Sequence, residues 1–109
     1  MNLYDSHTLA REAVARPGRP GFALAHDHAD ARLVVFRIDP GQQVAPHTSP
    51  ASVFLVVTSG SGFISGADGE RAVAAGAIAA FAPGERHGMR AAEEQLVIAA
   101  FIAPGPGGR

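Results

Sequence analysis

The sequence is 109 residues long, has a formal net charge of −1 and contains no cysteine. A chain of this length folds as one domain, and the lack of cysteine excludes disulfides, thiol nucleophiles and thiolate metal sites. The near-neutral charge gives no reason to expect a nucleic-acid or membrane partner. The first twenty residues lack the apolar segment of a secretory signal, and no stretch reaches membrane-spanning length, so we expect a cytoplasmic protein.

Residues 1–20 predict a short helix followed by a linker. Ser6 is suited to cap the helix, and Pro17-Gly18 ends the pattern. The apolar positions that recur at helical spacing are Leu9, Ala10, Ala13 and Val14. We expect this helix to lie against the main body of the protein.

From residue 22 onward, short β-type runs alternate with turn residues at intervals of roughly eight to twelve residues. The predicted strands cover 22–26, 32–38, 44–47, 52–58, 62–65, 71–74, 77–81, 86–90 and 96–102. Most connections are too short for a crossover helix, which predicts a largely antiparallel sandwich or barrel over residues 21–103. The Pro- and Gly-rich tail, residues 104–109, is predicted to be disordered.

Two predicted strands are apolar on both faces, namely the runs Leu33 to Phe36 and Val53 to Val57. Such strands need cover on both sides. The barrel interior can supply one side, and the N-terminal helix or a second subunit can supply the other. This pattern predicts a homodimer.

The histidines are the main candidates for chemistry. Alternation along a strand places His47 and Ser49 on one face, together with Gln43. His87 follows the Pro83-Gly84 turn and faces inward with Met89 on its own strand. Without cysteine, metal ligands would have to be imidazoles and carboxylates that converge inside the barrel, and two imidazoles can meet there.

This arrangement resembles the cupin superfamily of small jelly-roll barrels, also called double-stranded β-helices. The first motif of that family is glycine, five residues, His-x-His, three or four residues, glutamate, six residues and glycine. The second is glycine, five residues, Pro-x-Gly, two residues and histidine. The positions that match these intervals are Gly41, His47, Gly60, Gly76, Gly84 and His87. The resemblance implies an all-β double-stranded β-helix, here with a short N-terminal helix, and is consistent with a homodimer.

Three family positions differ in this chain. Ser49 stands at the second histidine, Val53 at the glutamate and Ala82 at the proline. Of the four usual ligand positions, His47 and His87 keep a ligating side chain. These two residues are the candidate ligands for a divalent metal such as iron, manganese, zinc or nickel, or else polar groups of a pocket without a metal.

Three functions remain open at this point. The first is binding of a small molecule in a pocket lined by Gln43, Ser49, Val53, Leu55, Met89 and Ile98. The second is a cupin enzyme of the dioxygenase or isomerase type, in which His47 and His87 hold a metal or act as acid and base without one. The third is a sensing module that works through a partner protein, since the chain has no helix-turn-helix and no basic stripe.

A second group of titratable residues lies at His26 to Asp30, sequence HDHAD. His26 and His28 are two residues apart, with carboxylates beside them. The segment falls in a predicted hairpin turn, so we expect it to be exposed to solvent rather than built into a site.

Overall fold

The computed structural model describes residues 1–14 and 16–106. One helix, α1, and seven strands make up the fold, and the strand content agrees with the all-β prediction. The elements are α1 (Ser6–Glu12), β1 (Gly21–Asp27), β2 (Arg32–Ile38), β3 (Gln43–His47), β4 (Ser52–Gly66), β5 (Gly69–Ala74), β6 (Ile78–Phe81) and β7 (His87–Ala103).

All strand pairs are antiparallel, and the two long strands β4 and β7 organise them. The hydrogen-bonded order is β1-β2-β7-β4-β5, with β3 added to β7 and β6 added to β4. The first part of β7 pairs with β3 and with the end of β4, whereas its last part pairs with β2 and with the start of β4. Both long strands therefore run through both halves of the barrel.

The sequence predicts two separate strands in each of these regions, and that prediction is wrong. The segment Ser59-Gly60-Ser61-Gly62, predicted as a turn, lies inside β4, where the register against β7 shifts twice. Gly60 has φ +77°, and a Cβ at this position would overlap the backbone carbonyl of Gln95. The glycines here mark bulges that bend a continuous strand, not its end.

The main core lies between the two halves of the barrel, and a second cluster lies under α1. Leu9 packs with Val35, Val97 and Ala99 on the outer face of the β2–β7 region, as expected for a helix that rests on the body. Asp5, rather than Ser6, is the N-cap, since its carboxylate accepts hydrogen bonds from the amides of His7 and Thr8 at 2.9 and 3.0 Å. An ionised carboxylate is a strong acceptor at the positive end of a helix, which explains the shift by one residue.

The remainder of this outer face is not covered by the described residues of the chain. Phe54 and Phe101 are direct cross-strand partners on β4 and β7, and they are 42% and 43% exposed. The neighbouring residues on the opposite face of both strands are buried in the core. We call the surface around Phe54 and Phe101 the outer apolar face.

Residues after β7 continue against the β1–β2 turn. The amide of Gly105 donates to the carbonyl of Ala29 at 3.0 Å, and Gly105 itself is buried. Residues 107–109 of the predicted tail lie outside the described residues. No helix in the described ranges is long and apolar enough to cross a membrane.

Candidate functional site

His47 and His87 lie next to each other at one end of the barrel, which we call the mouth. His47 ends β3 and His87 begins β7, and the two residues are direct partners across these antiparallel strands. Their ring centroids are 4.3 Å apart, with the ring planes inclined at 60°. The structure thus brings together the two imidazoles that the sequence singles out.

Backbone carbonyls fix the protonation of both rings. Nδ1 of His47 lies 3.0 Å from the carbonyl oxygen of Ala45, and Nδ1 of His87 lies 3.1 Å from that of Glu85. A carbonyl oxygen only accepts hydrogen bonds, so Nδ1 of each ring must be the N–H donor. In the neutral form, both histidines then have Nε2 unprotonated and able to accept a hydrogen bond.

The two histidines differ in their environment. His47 is exposed, whereas His87 is only 4% exposed and its ring centroid lies 5.1 Å from that of Phe81. Burial lowers the pKa of the His87 imidazole, the hydrogen bond to the Glu85 carbonyl opposes this change, and His47 lowers the pKa further. The surroundings of His87 therefore favour its neutral imidazole over the charged form.

Two loops support the pair. In the β6–β7 loop, Gly84 has φ +86° and donates its amide to the carbonyl of Ser49 in the β3–β4 loop at 2.8 Å. The Glu85 carboxylate accepts from the amide of Ala82 at 2.8 Å, which closes the β6–β7 loop on itself. This bonding holds the two chain segments that carry the histidines in a fixed relation.

The other residues of the predicted pocket do not gather at the mouth. Val53, Leu55, Met89 and Ile98 are buried members of the main core. Gln43 is exposed at the far end of β3, opposite Arg90. The Ser49 hydroxyl accepts the amide of Ala51 at 3.2 Å, within its own loop. The barrel interior beneath the histidines is thus packed with side chains.

The donor atoms at the mouth do not fit a resident metal ion. Protein zinc sites use three or four side-chain ligands, and iron, manganese and nickel also need more donors than two imidazoles. The Ser49 hydroxyl is engaged in its loop, and the Val53 side chain is hydrocarbon. Within residues 1–14 and 16–106, no three side chains of His, Cys, Asp or Glu come together in a way that could hold a metal.

A cleft of about 440 Å³ between β5 and β6 is a feature that the sequence reasoning missed. Apolar side chains of β4, β5 and β6 line it, and charged residues of the two adjoining loops stand at its edge. Phe81 forms part of its wall, so the cleft lies directly behind the ring that contacts His87. The available signal was the run Ala77-Ile78-Ala79-Ala80, which puts alanine where an inward strand position usually carries a larger side chain.

The second histidine group lies at the end of β1 and in the β1–β2 turn, with His26 a half-buried residue of the strand and His28 beyond it. The rings of His26 and His28 are 4.4 Å apart, and Nε2 of His26 is 3.6 Å from a carboxylate oxygen of Asp30. His28 and Asp30 are exposed, as expected for a hairpin turn. This pair lacks the buried imidazole and the supporting loops of the pair at the mouth.

Comparison with known proteins identifies a matching family and similar solved structures. A cupin-domain family model matches residues 34–102. A conserved protein with a double-stranded β-helix domain from Klebsiella pneumoniae is 26% identical, with 99% of this chain and 94% of that chain covered and a TM-score of 0.86. An RmlC-like cupin from Desulfovibrio desulfuricans is 25% identical, with coverage of 94% and 98% and a TM-score of 0.79.

A predicted oxalate decarboxylase from Thermotoga maritima is 20% identical, with coverage of 78% and 80% and a TM-score of 0.74, and this likeness extends to the fold alone. No curated protein matches the chain. The predicted double-stranded β-helix is confirmed by these structures.

Proposed function

This chain belongs to the cupin family, and from that premise we propose that it binds a small molecule at the barrel mouth through His47 and His87. Members of one fold family carry out different reactions, so the family alone does not choose a ligand. The proposal depends on the geometry of the histidine pair.

The observation that carries the proposal is the pair of hydrogen bonds to the carbonyls of Ala45 and Glu85. These bonds leave Nε2 of each ring as an acceptor, on two rings whose centroids are 4.3 Å apart. Such a pair suits a ligand with two neighbouring donors, such as a diol, an amide or an amidine. Phe81 and the aliphatic core below it would face the apolar part of that ligand.

The lowered pKa of His87 also supports a role as hydrogen-bond acceptor for the ligand. Because the neutral form of the ring is favoured, its Nε2 keeps the lone pair that accepts a ligand proton. Protonation would convert this acceptor into a donor and add a charge in a buried position. We therefore expect ligand affinity to fall as the pH decreases through the pKa of His87 in the folded protein, which lies below the ordinary 6.5.

A metal-dependent enzyme is the alternative function, and the donor set at the mouth argues against it. Two imidazoles without a carboxylate would bind a divalent cation weakly.

The remaining parts of the proposal concern partners and location. We propose a homodimer in which a second copy covers the outer apolar face, because exposed aromatic pairs of this kind favour association. The small charge and the absence of cysteine support a cytoplasmic protein without nucleic-acid or membrane partners.

Two matched double variants test the binding site. Wild-type protein without a histidine tag is titrated with small diols, amides and amidines while amide chemical shifts are followed by NMR. We expect saturable shifts at His47 and His87 for at least one of these classes, and their loss in His47→Gln/His87→Gln. The control is His26→Gln/His28→Gln, which changes the same residue types at the end of β1 and in the β1–β2 turn and should bind as the wild type does.

Two results would contradict the proposal. One is the absence of any saturable shift at the mouth across the three ligand classes. The other is equal binding by the wild type and the His47→Gln/His87→Gln variant.

A further inference from the structure

The barrel has an open seam that the mouth site does not use. β5 pairs with residues 61–66 of β4, and β6 pairs with residues 53–56 of the same strand. In the described part of the chain, β5 and β6 do not pair with each other. The cleft of about 440 Å³ is lined by residues of both strands, and this volume falls within the range of roughly 300–1,000 Å³ typical of small-molecule sites.

Small inward side chains keep the cleft open. Ala79 stands opposite the buried Leu55, and both belong to one layer of the barrel. Ile64 and Phe81 are buried and form the floor, and Val73 packs against the same core from β5. The apolar side chains that line the cleft are open to solvent, so an apolar occupant would gain the free energy of removing their surface from water.

Charges at the edge of the cleft select the polar end of the occupant. The Arg71 guanidinium is 3.1 Å from the Asp68 carboxylate, so these two charges offset each other. The Glu85 carboxylate is held in place by the amide of Ala82, and no arginine of the described ranges forms an ion pair with it. The edge therefore presents one uncompensated negative charge beside an apolar floor.

We propose that the β5–β6 cleft is a second binding site, specific for small amphipathic amines. The apolar body of the amine lies on Ile64, Val73 and Ala79, and its ammonium group lies against the Glu85 carboxylate. Phe81 separates this site from the histidine pair, so the two sites take chemically different ligands. The assignment is independent of the function proposed for the mouth.

The test uses three six-carbon probes that differ in charge: hexylammonium, hexanol and hexanoate. Each is titrated into the full-length protein while NMR follows the methyl groups of Ile64, Val73 and Ala79. We expect saturable shifts at these methyl groups, with hexylammonium bound most tightly and hexanoate most weakly. If the three probes bind equally, or if hexanoate binds best, the assignment of an amine is wrong.

Substitutions separate the apolar and the charged contributions. Ala79→Leu fills the cleft from its floor and should abolish binding of all three probes, and Ala77→Leu serves the same purpose if the first variant does not fold. Glu85→Gln keeps an oxygen for the Ala82 amide and should lower the hexylammonium affinity about threefold, the size expected for one exposed charge pair, without changing that of hexanol. The control Glu93→Gln makes the same change in net charge at an exposed position of β7 and should have no effect.

The proposal fails if a folded Ala79→Leu or Ala77→Leu variant binds hexylammonium as the wild type does. It also fails if Glu85→Gln and Glu93→Gln have equal effects, because the attraction would then be a property of net charge. Neither result bears on the mouth site, since the measured methyl groups belong to the cleft and Glu85→Gln keeps both the backbone carbonyl that accepts from His87 and an oxygen for the Ala82 amide.

Discussion

Removal of one methyl group from Ile98 tests whether the barrel interior is a packed core or an open pocket. Ile98 is 0% exposed in β7, between Phe36 of β2 and Val57 of β4. The matched position is Ile78 in β6, which is 69% exposed. Ile→Val replaces one β-branched residue by another and removes the same methyl group at both sites, so the difference between the two variants reports mainly on packing.

The expected losses in the free energy of unfolding differ clearly between the two variants. Ile98→Val loses about 0.8 kcal/mol for the buried methylene, and the cavity that remains brings the range to about 0.5–1.5 kcal/mol. Ile78→Val removes a group that is already in contact with water and should cost less than about 0.5 kcal/mol. Both free energies of unfolding are measured by urea unfolding at one protein concentration. Unfolding is followed by far-UV circular dichroism because the chain has no tryptophan for fluorescence.

Equal losses at the two positions would refute this reasoning. They would mean that the space around Ile98 is not close-packed. A pocket lined by Val53, Leu55 and Met89, as expected from the sequence, would then again be the best candidate for the ligand site.

The remaining predictions concern the pH dependence, the metal content and the assembly. The pKa of His87 is lower in the folded state than its ordinary 6.5, so the unfolded chain binds more protons at acidic pH. The contribution of His87 to the free energy of unfolding should therefore be complete well above pH 6.5 and should decrease as the pH falls. The replacement His87→Gln should flatten this dependence when the free energy of unfolding is measured in urea at several pH values. Plasma mass spectrometry of untagged protein should find far less than one equivalent of any transition metal; one equivalent that disappears in His47→Ala/His87→Ala would restore the metal-dependent alternative. Light scattering at micromolar concentration should give twice the chain mass, and Phe101→Asp should give the mass of one chain. A wild-type mass of one chain would rule out the dimer.

The strand pattern could be predicted because turn residues and apolar alternation are local signals. The continuity of β4 and β7 could not, because a glycine that bends a strand is the same residue as a glycine that ends one. At Gly60 the decisive fact is the close approach of the Gln95 carbonyl, a contact between residues far apart in the sequence. The N-cap is Asp5, one residue before the predicted Ser6, because both residue types are good caps and the sequence alone does not choose between them.

The candidate site, like the fold, could be predicted from the sequence only in part. The meeting of His47 and His87 could be inferred from their motif positions, which fix the strand and the face. Alternation says which way Leu55 and Ile98 point, but not whether the space they point into is filled. The β5–β6 cleft depends on the absence of large side chains at Ala77 and Ala79, and an absence produces no hydrophobic signal.

The continuity of β4 and β7 through both halves of the barrel has a consequence for how the protein opens. Neither half can separate from the other without disrupting hydrogen bonds along the same two strands. Amide hydrogens at the centres of β4 and β7 should therefore exchange with deuterium only through global unfolding, and with a common free energy of opening. The edge strands β1, β3, β5 and β6, each attached on one side, should exchange earlier through local openings, and two of them flank the proposed amine site.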